Sequence, residues 1–112
     1  MRPPKGTVLC NLKDLPLDSA KGFSFEMGDT EFNMVLWHSK YGLYLFENAC
    51  PHLGPPLETF PDKFLTLDKT ALICSAHGAQ FDENGKCFAG PCKGKSLNKI
   101  AFEVKDDTII LA

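Results

Sequence analysis

The sequence predicts an all-β domain, on three observations. Short apolar runs alternate with a period of two, the signature of half-buried strands. Gly and Pro, nine and eight residues, are scattered along the chain as punctuation between those runs. No window carries the 3.6-residue periodicity of an amphipathic helix.

Taken in order, Lys5–Cys10 is a short β-like run and Lys13–Leu17 a turn. Gly22–Met27 places Phe23, Phe25 and Met27 on one face. Gly28 and Asp29 turn it into Glu31–His38, and Ser39 and Lys40 turn that into Tyr41–Glu47, a three-stranded meander. Asn48–Phe60 is an ordered loop, because Pro51, Pro55 and Pro56 within it and Pro61 just after it cannot sit inside a sheet ladder. Thr70–Cys74 is a short apolar strand. Ala79–Phe81 and Lys86–Phe88 flank Asp82-Glu83-Asn84-Gly85, a hairpin turn, and Gly90–Gly94 is a second loop. Asn98–Lys105 alternates, with Ile100, Phe102 and Val104 on one side, and Asp106-Asp107 turns it into Thr108–Leu111. The sum is about ten short strands interrupted by two loops.

The 112 residues are read as one domain, residues 1–112, with room for a single modest core. At 44% hydrophobic and 23% charged residues the chain is globular rather than disordered. A net charge of −2 argues against electrostatic binding of nucleic acid. There is no apolar run long enough to span a bilayer and no signal-peptide pattern at MRPPKGTVLC, so a cytoplasmic protein, a monomer when alone, is expected. In that compartment the five cysteines are thiols or metal ligands rather than a disulfide framework.

The Cys and His residues cluster. Cys50 and His52 form C-x-H in CPHLGPP, and Cys74 and His77 form C-x-x-H in ICSAHGAQFD. Thiolate with imidazole suits zinc, copper or iron–sulfur chemistry. The order Cys, His, Cys, His differs from the Cys, Cys, His, His order usual in zinc modules. In an extended segment residues i and i+2 lie ~7 Å apart on one face, which suits ligands on two neighbouring irons better than two ligands of one ion. Side chains can converge, however, so structural zinc stays open on this argument alone. A Cys–His nucleophilic pair lacks an identifiable orienting group and oxyanion donors.

CPHLGPPL followed by CSAHGAQFDENGKCFAGP resembles the Rieske family pattern C-x-H-x-G-x-x-L and C-x-x-H-G-x-x-F-D…G…G-P. Leu53, Gly54, Gly78, Phe81, Asp82, Gly85, Gly90 and Pro91 take part in the match. The resemblance implies stacked antiparallel sheets with a small cluster-binding subdomain of two loops, placed at about residues 47–93. It implies one [2Fe–2S] cluster, with Cys50 and Cys74 on one iron and His52 and His77 on the other. Twenty-one residues, Leu53–Ile73, separate the motifs, and the extra length is assigned to a surface loop in Thr59–Lys69.

The resemblance further implies a soluble Rieske-type ferredoxin. Such a chain carries single electrons between a flavin-dependent reductase and an oxygenase or similar acceptor. It is not an enzyme itself, since with His52 and His77 taken only His38 remains for a mononuclear iron site. The alternative is a small Rieske subunit or regulatory module of a larger oxidoreductase. Two neutral imidazoles in place of thiolates make the electron easier to accept, so Rieske centres span roughly −150 to +300 mV against about −400 mV for all-cysteine clusters. High-potential members of the family, those of respiratory chains, differ from this chain at four positions. They carry a disulfide where Pro55 and Ala76 stand, and hydroxyl donors to sulfur where Ala79 and Phe81 stand. A potential at the low end of the range is expected. Loss of protons from the ligand imidazoles of the oxidised centre should also make the potential fall at alkaline pH.

The remaining residues carry plainer expectations. Cys10, Cys87 and Cys92 read as free thiols, with a Cys87–Cys92 disulfide as the minor alternative. Trp37 and His38 read as surface or partly packed. Lys93, Lys95 and Lys99 read first as a solvated patch and second as a docking surface for an acidic partner.

Overall fold

A computed structural model describes residues 3–49, 64–66, 68–74, 78–91 and 93–112. Among these, nine strands form three antiparallel three-stranded sheets. The meander expected from the sequence is the middle layer. Its strands are β2 (Ser19–Met27), β3 (Thr30–Ser39) and β4 (Gly42–Glu47), in the order β2-β3-β4. A second sheet orders β1 (Val8–Asn11), β9 (Thr108–Leu111) and β8 (Phe102–Lys105) as β1-β9-β8. The third joins β5 (Leu72–Ile73), β6 (Gln80–Phe81) and β7 (Cys87–Ala89) as β5-β6-β7.

The run Met34-Val35-Leu36-Trp37 on β3 explains the layering. All four side chains are buried, although strand residues alternate between faces. Val35 and Trp37, with Phe46, join a core with Phe64, Leu72, Cys74, Ala79 and Phe81 of the small sheet and its flanks. Met34 and Leu36, with Leu45, join a second core with Ile100, Ile109 and Leu111. The meander is thus apolar on both faces because each is covered. Each fully buried large side chain contributes about 1.5–3 kcal/mol of transfer free energy.

Trp37 is therefore a core residue, only 1% exposed, and not the surface or partly packed residue the sequence suggests. It lies on the central strand, paired with Ala20 on one side and Tyr44 on the other. Its ring meets Tyr44 at 6.1 Å between centroids. Its buried Nε1 has no hydrogen-bond partner among the described residues. His38 is partly packed, as expected, with Nδ1 2.8 Å from the Leu15 carbonyl oxygen.

Other boundaries moved by between one and four residues. The turn expected at Lys13–Leu17 is a 3-10 helix at Leu12–Asp14, capped by Asn11, whose side chain accepts from the Lys13 N–H at 2.9 Å. Val104 shares the face of Phe102 but is 44% exposed, because β8 is an edge strand and its far end is uncovered. Asn98–Ile100 does not continue β8. Instead Lys99 bridges Phe46, and the Ile100 N–H donates to the Leu45 carbonyl.

The expected surface loop at Thr59–Lys69 is corrected where it is described. Phe64 is fully buried and Leu65 bridges Leu72. The Ile73 N–H donates to Phe64 and the Thr66 N–H to Ala71. This stretch is one arm of a ribbon closed by a turn at Asp68–Lys69, and burial of Phe64 holds it down.

Candidate metal centre

The second loop grows out of the small sheet. β5 ends at Ile73, and Cys74 follows, fully buried. The Cys74 N–H donates to the Ala79 carbonyl at 2.7 Å, and the Gly78 N–H donates to the Cys74 carbonyl at 2.8 Å. The backbone therefore closes on itself across residues 74–79 before β6 begins at Gln80. Gly78 accepts φ +76, a region that favours glycine.

Gly90 buttresses this closure. A β-carbon there would lie 2.6 Å from the Ala79 Cα and 3.0 Å from the Ala79 nitrogen. Gly90 also sits at φ +95, so both conformation and space demand glycine. The hairpin turn behaves as expected from Asn84-Gly85. The Asp82 carboxylate accepts the N–H groups of Asn84 and Lys86, and Gly85 takes φ +78 beneath the Phe46 ring.

The first loop leaves β4 through Asn48 and Ala49. Asn48 is buried, and its N–H donates to the Asn33 carbonyl at 2.8 Å. Of the four ligands predicted from sequence, Cys74 is described. Cys50, His52 and His77 lie outside the described residues, as do Pro55, Ala76, Cys92 and most of the proline-rich loop. No group of three or more metal-donor side chains is found among the described residues, which include one predicted ligand.

The residues present fit a buried cluster. Cys74 offers a soft thiolate from a position without solvent contact, at the end of a strand fixed by backbone hydrogen bonds. Ala79 and Phe81, both fully buried, wall this side with apolar atoms and supply no side-chain hydroxyl. Cys87 is buried on the neighbouring strand, and its thiol donates to the Ala89 carbonyl at 3.1 Å. Cys10 is remote, in the second core, half-buried and free.

The close approach of Gly90 to Ala79 was legible only as a motif match. Its signal was the Gly-Pro pair at residues 90 and 91. The burial of Phe64 had a weaker signal, an aromatic-aliphatic pair between Lys63 and Thr66.

Three antiparallel three-stranded sheets thus carry a cysteine-bearing loop braced by a glycine. The Rieske [2Fe-2S] domain model matches residues 5–105, and the chain belongs to that family. It is 31% identical over 86 residues to the cytochrome b6-f complex iron-sulfur subunit of Prochlorococcus marinus subsp. pastoris, an alignment covering 75% of this chain and 43% of the relative. The chain thus spans less than half the length of the curated relatives it matches. Among solved structures it is similar to the ferredoxin of carbazole 1,9a-dioxygenase from Nocardioides aromaticivorans IC177. The TM-score is 0.68 at 18% identity, covering 95% of this chain and 97% of that one. It is also similar to dicamba monooxygenase, with a TM-score of 0.63 at 21% identity, covering 94% of this chain and 31% of that one. At these identities the structural likeness establishes the fold. No helix among the described residues is long and apolar enough to cross a membrane.

Proposed function

We propose that the chain is a Rieske-type ferredoxin, a one-electron carrier rather than an enzyme. It would work in the cytoplasm between a flavin-dependent reductase and an oxygenase or similar acceptor. Residues 1–112 would form one Rieske-type domain, with about 47–93 as its cluster-binding part. Cys50 and Cys74 would hold one iron and His52 and His77 the other. The observation that carries this reading is the buried Cys74 at the head of a loop closed by its own backbone and braced by Gly90. The near-complete coverage of a free-standing ferredoxin, on both chains, supports the carrier role.

The cluster supplies reversible one-electron transfer. The chain's own contribution is to exclude water and limit rearrangement. Ala79 and Phe81 keep solvent from the Cys74 side, and the Cys74–Ala79 and Gly78–Cys74 hydrogen bonds fix the loop. The absence of hydroxyls at Ala79 and Phe81 supports a potential at the low end of the Rieske range.

A second reading, a Rieske subunit or module of a larger oxidoreductase, is favoured by the partial coverage of the b6-f subunit and of dicamba monooxygenase. Iron and acid-labile sulfide analysis with EPR of the reduced protein tests the site. Two irons, two sulfides and the lowered mean g of mixed His–Cys ligation are expected. A colourless, sulfide-free protein after anaerobic preparation would refute it. Gel filtration alone and with candidate reductases separates the two roles, a monomer being expected for the carrier.

A further inference from the structure

β7 carries a bulge beside the second loop. Gln80 pairs with Ala89, but Phe81 pairs with Cys87, so Phe88 is an extra residue with no partner in the register. Bulges re-aim side chains, often next to functional sites. Here Cys87 stays buried while Phe88 is turned outward, 47% exposed. Phe88 stands two residues from Gly90, which lies against Ala79 and the Cys74 loop.

The chain then folds back along β7. The Cys87 N–H donates to the Lys95 carbonyl at 2.8 Å, the Gly94 N–H donates to the Cys87 carbonyl at 3.1 Å, and Lys86 bridges Ser96. This ribbon carries Lys86, Lys93 and Lys95, all three exposed like Phe88. None of the three forms an ion pair among the described residues. The nearest carboxylates in sequence, Asp82 and Glu83, sit in the hairpin turn beside Lys86, whose N–H donates to Asp82 at 3.0 Å, while Lys93 and Lys95 lie on the returning segment. From Asn84 to Phe102 there are four lysines and no Asp or Glu, while elsewhere fourteen acidic residues face eight basic ones. The protein is therefore acidic overall and basic at one ribbon beside the candidate metal centre.

We propose that Phe88, Lys86, Lys93 and Lys95 form the docking surface for an acidic redox protein, the apolar ring seated at the centre and the ammonium groups at the rim. This rests on the carrier reading above. It deepens that reading by giving the partner's chemistry. An aromatic anchor inside a charged rim is the usual anatomy of an interaction surface. Local positive potential steers an acidic partner despite the net negative charge.

The test uses the holoprotein and two anionic probes. In the first arm, dithionite-reduced protein gives one electron to ferricyanide, forming ferrocyanide, and the rate is followed by anaerobic stopped flow. The net charge of −2 alone makes that rate rise with salt. Docking on the ribbon makes it fall, by about twofold or more between roughly 10 and 200 mM ionic strength. In the second arm, redox-inert hexacyanochromate(III) should broaden the amide NMR signals of residues 86–88 and 93–95. The Lys86→Gln/Lys93→Gln/Lys95→Gln variant should reverse the salt slope and remove the broadening. Lys13→Gln/Lys105→Gln, in and beside the β1-β9-β8 sheet, should change neither. Phe88→Ser should leave both anion responses intact, because it removes no charge.

A rate that rises or stays flat with salt, or broadening centred elsewhere, overturns the proposal while leaving a normal cluster spectrum. Absence of the cluster itself removes the carrier reading and this proposal with it. Binding to phosphatidylglycerol vesicles that the triple substitution abolishes would overturn it in favour of a membrane surface.

Discussion

Gly90 lies so close to Ala79 that a β-carbon on it would stand 2.6 Å from the Ala79 Cα. The contact is with backbone, so no rotamer change relieves it. The left-handed φ of Gly90 adds a backbone cost of about 1–3 kcal/mol for any other residue. Gly90→Ala should lower unfolding stability by roughly 2 kcal/mol or more and reduce the iron and sulfide retained. Because the clash is with main-chain atoms, Ala79→Gly should not rescue it. Urea midpoints and metal content of the single and double variants check this, and full rescue would refute the backbone argument.

Ala79 and Phe81 present no hydroxyl to their surroundings and are fully buried. A hydroxyl donating to a cluster sulfur stabilises the more negative, reduced state. Ala79→Ser and Phe81→Tyr should each raise the midpoint potential, on the order of tens of millivolts. If the new hydroxyl finds no acceptor, the potential stays put and stability drops by about 1–3 kcal/mol instead. Protein-film voltammetry with parallel urea unfolding separates the outcomes.

The sequence made the meander legible because its strands alternate and its turns are marked by Gly28-Asp29 and Ser39-Lys40. It made Thr108–Leu111 legible to the residue, because Asp106-Asp107 fixes where that strand starts. Both aspartates take positive φ, a conformation that Asp tolerates in turns. Trp37 was misread because burial on two faces leaves no alternation to follow, and a strand beside a turn looks exposed. Phe64 and Leu65 were misread because their burial comes from pairing with Leu72 and Ile73, a tertiary fact with no local periodicity. The bulge at Phe88 left no trace, since register belongs to two strands and not to one. For the candidate site, the Cys and His spacing carried the prediction. The brace by Gly90 became physical only when Ala79 was seen against it.

Cys10 offers a check on a thiol outside the candidate centre. Burial pushes its thiol above the ordinary value of 9.0. Lys21 opposes this and Asp14 reinforces it. At neutral pH the thiolate is scarcer than for an ordinary cysteine, so alkylation by iodoacetamide should be slower than for an unstructured peptide. Lys21→Gln should slow it further and Asp14→Asn should speed it. Peptide mass spectrometry of the labelled holoprotein reads the rates at residue 10. Labelling as fast as the peptide would show that the burial has no effect.

Asp68 closes the ribbon that carries Phe64 into the core. Its carboxylate accepts the Thr66 hydroxyl at 2.6 Å, the Thr70 hydroxyl at 2.7 Å and the Thr70 N–H at 3.1 Å. These bonds, the Thr66 hydroxyl foremost, hold it below the ordinary carboxylate value of 3.8. A depressed folded-state value means that the charged form is favoured by folding. The stabilisation is therefore complete above the unfolded value and is lost as pH falls through the lower folded one. Asp68→Asn should be less stable than the parent at pH 7, and the difference should shrink as pH falls below 3.8 and through the depressed folded value. Because the group is exposed, the effect is small, within the range of a surface interaction. Urea midpoints of the two proteins across this pH range decide it: a gap that persists undiminished in acid would mean that the turn does not depend on the carboxylate's charge.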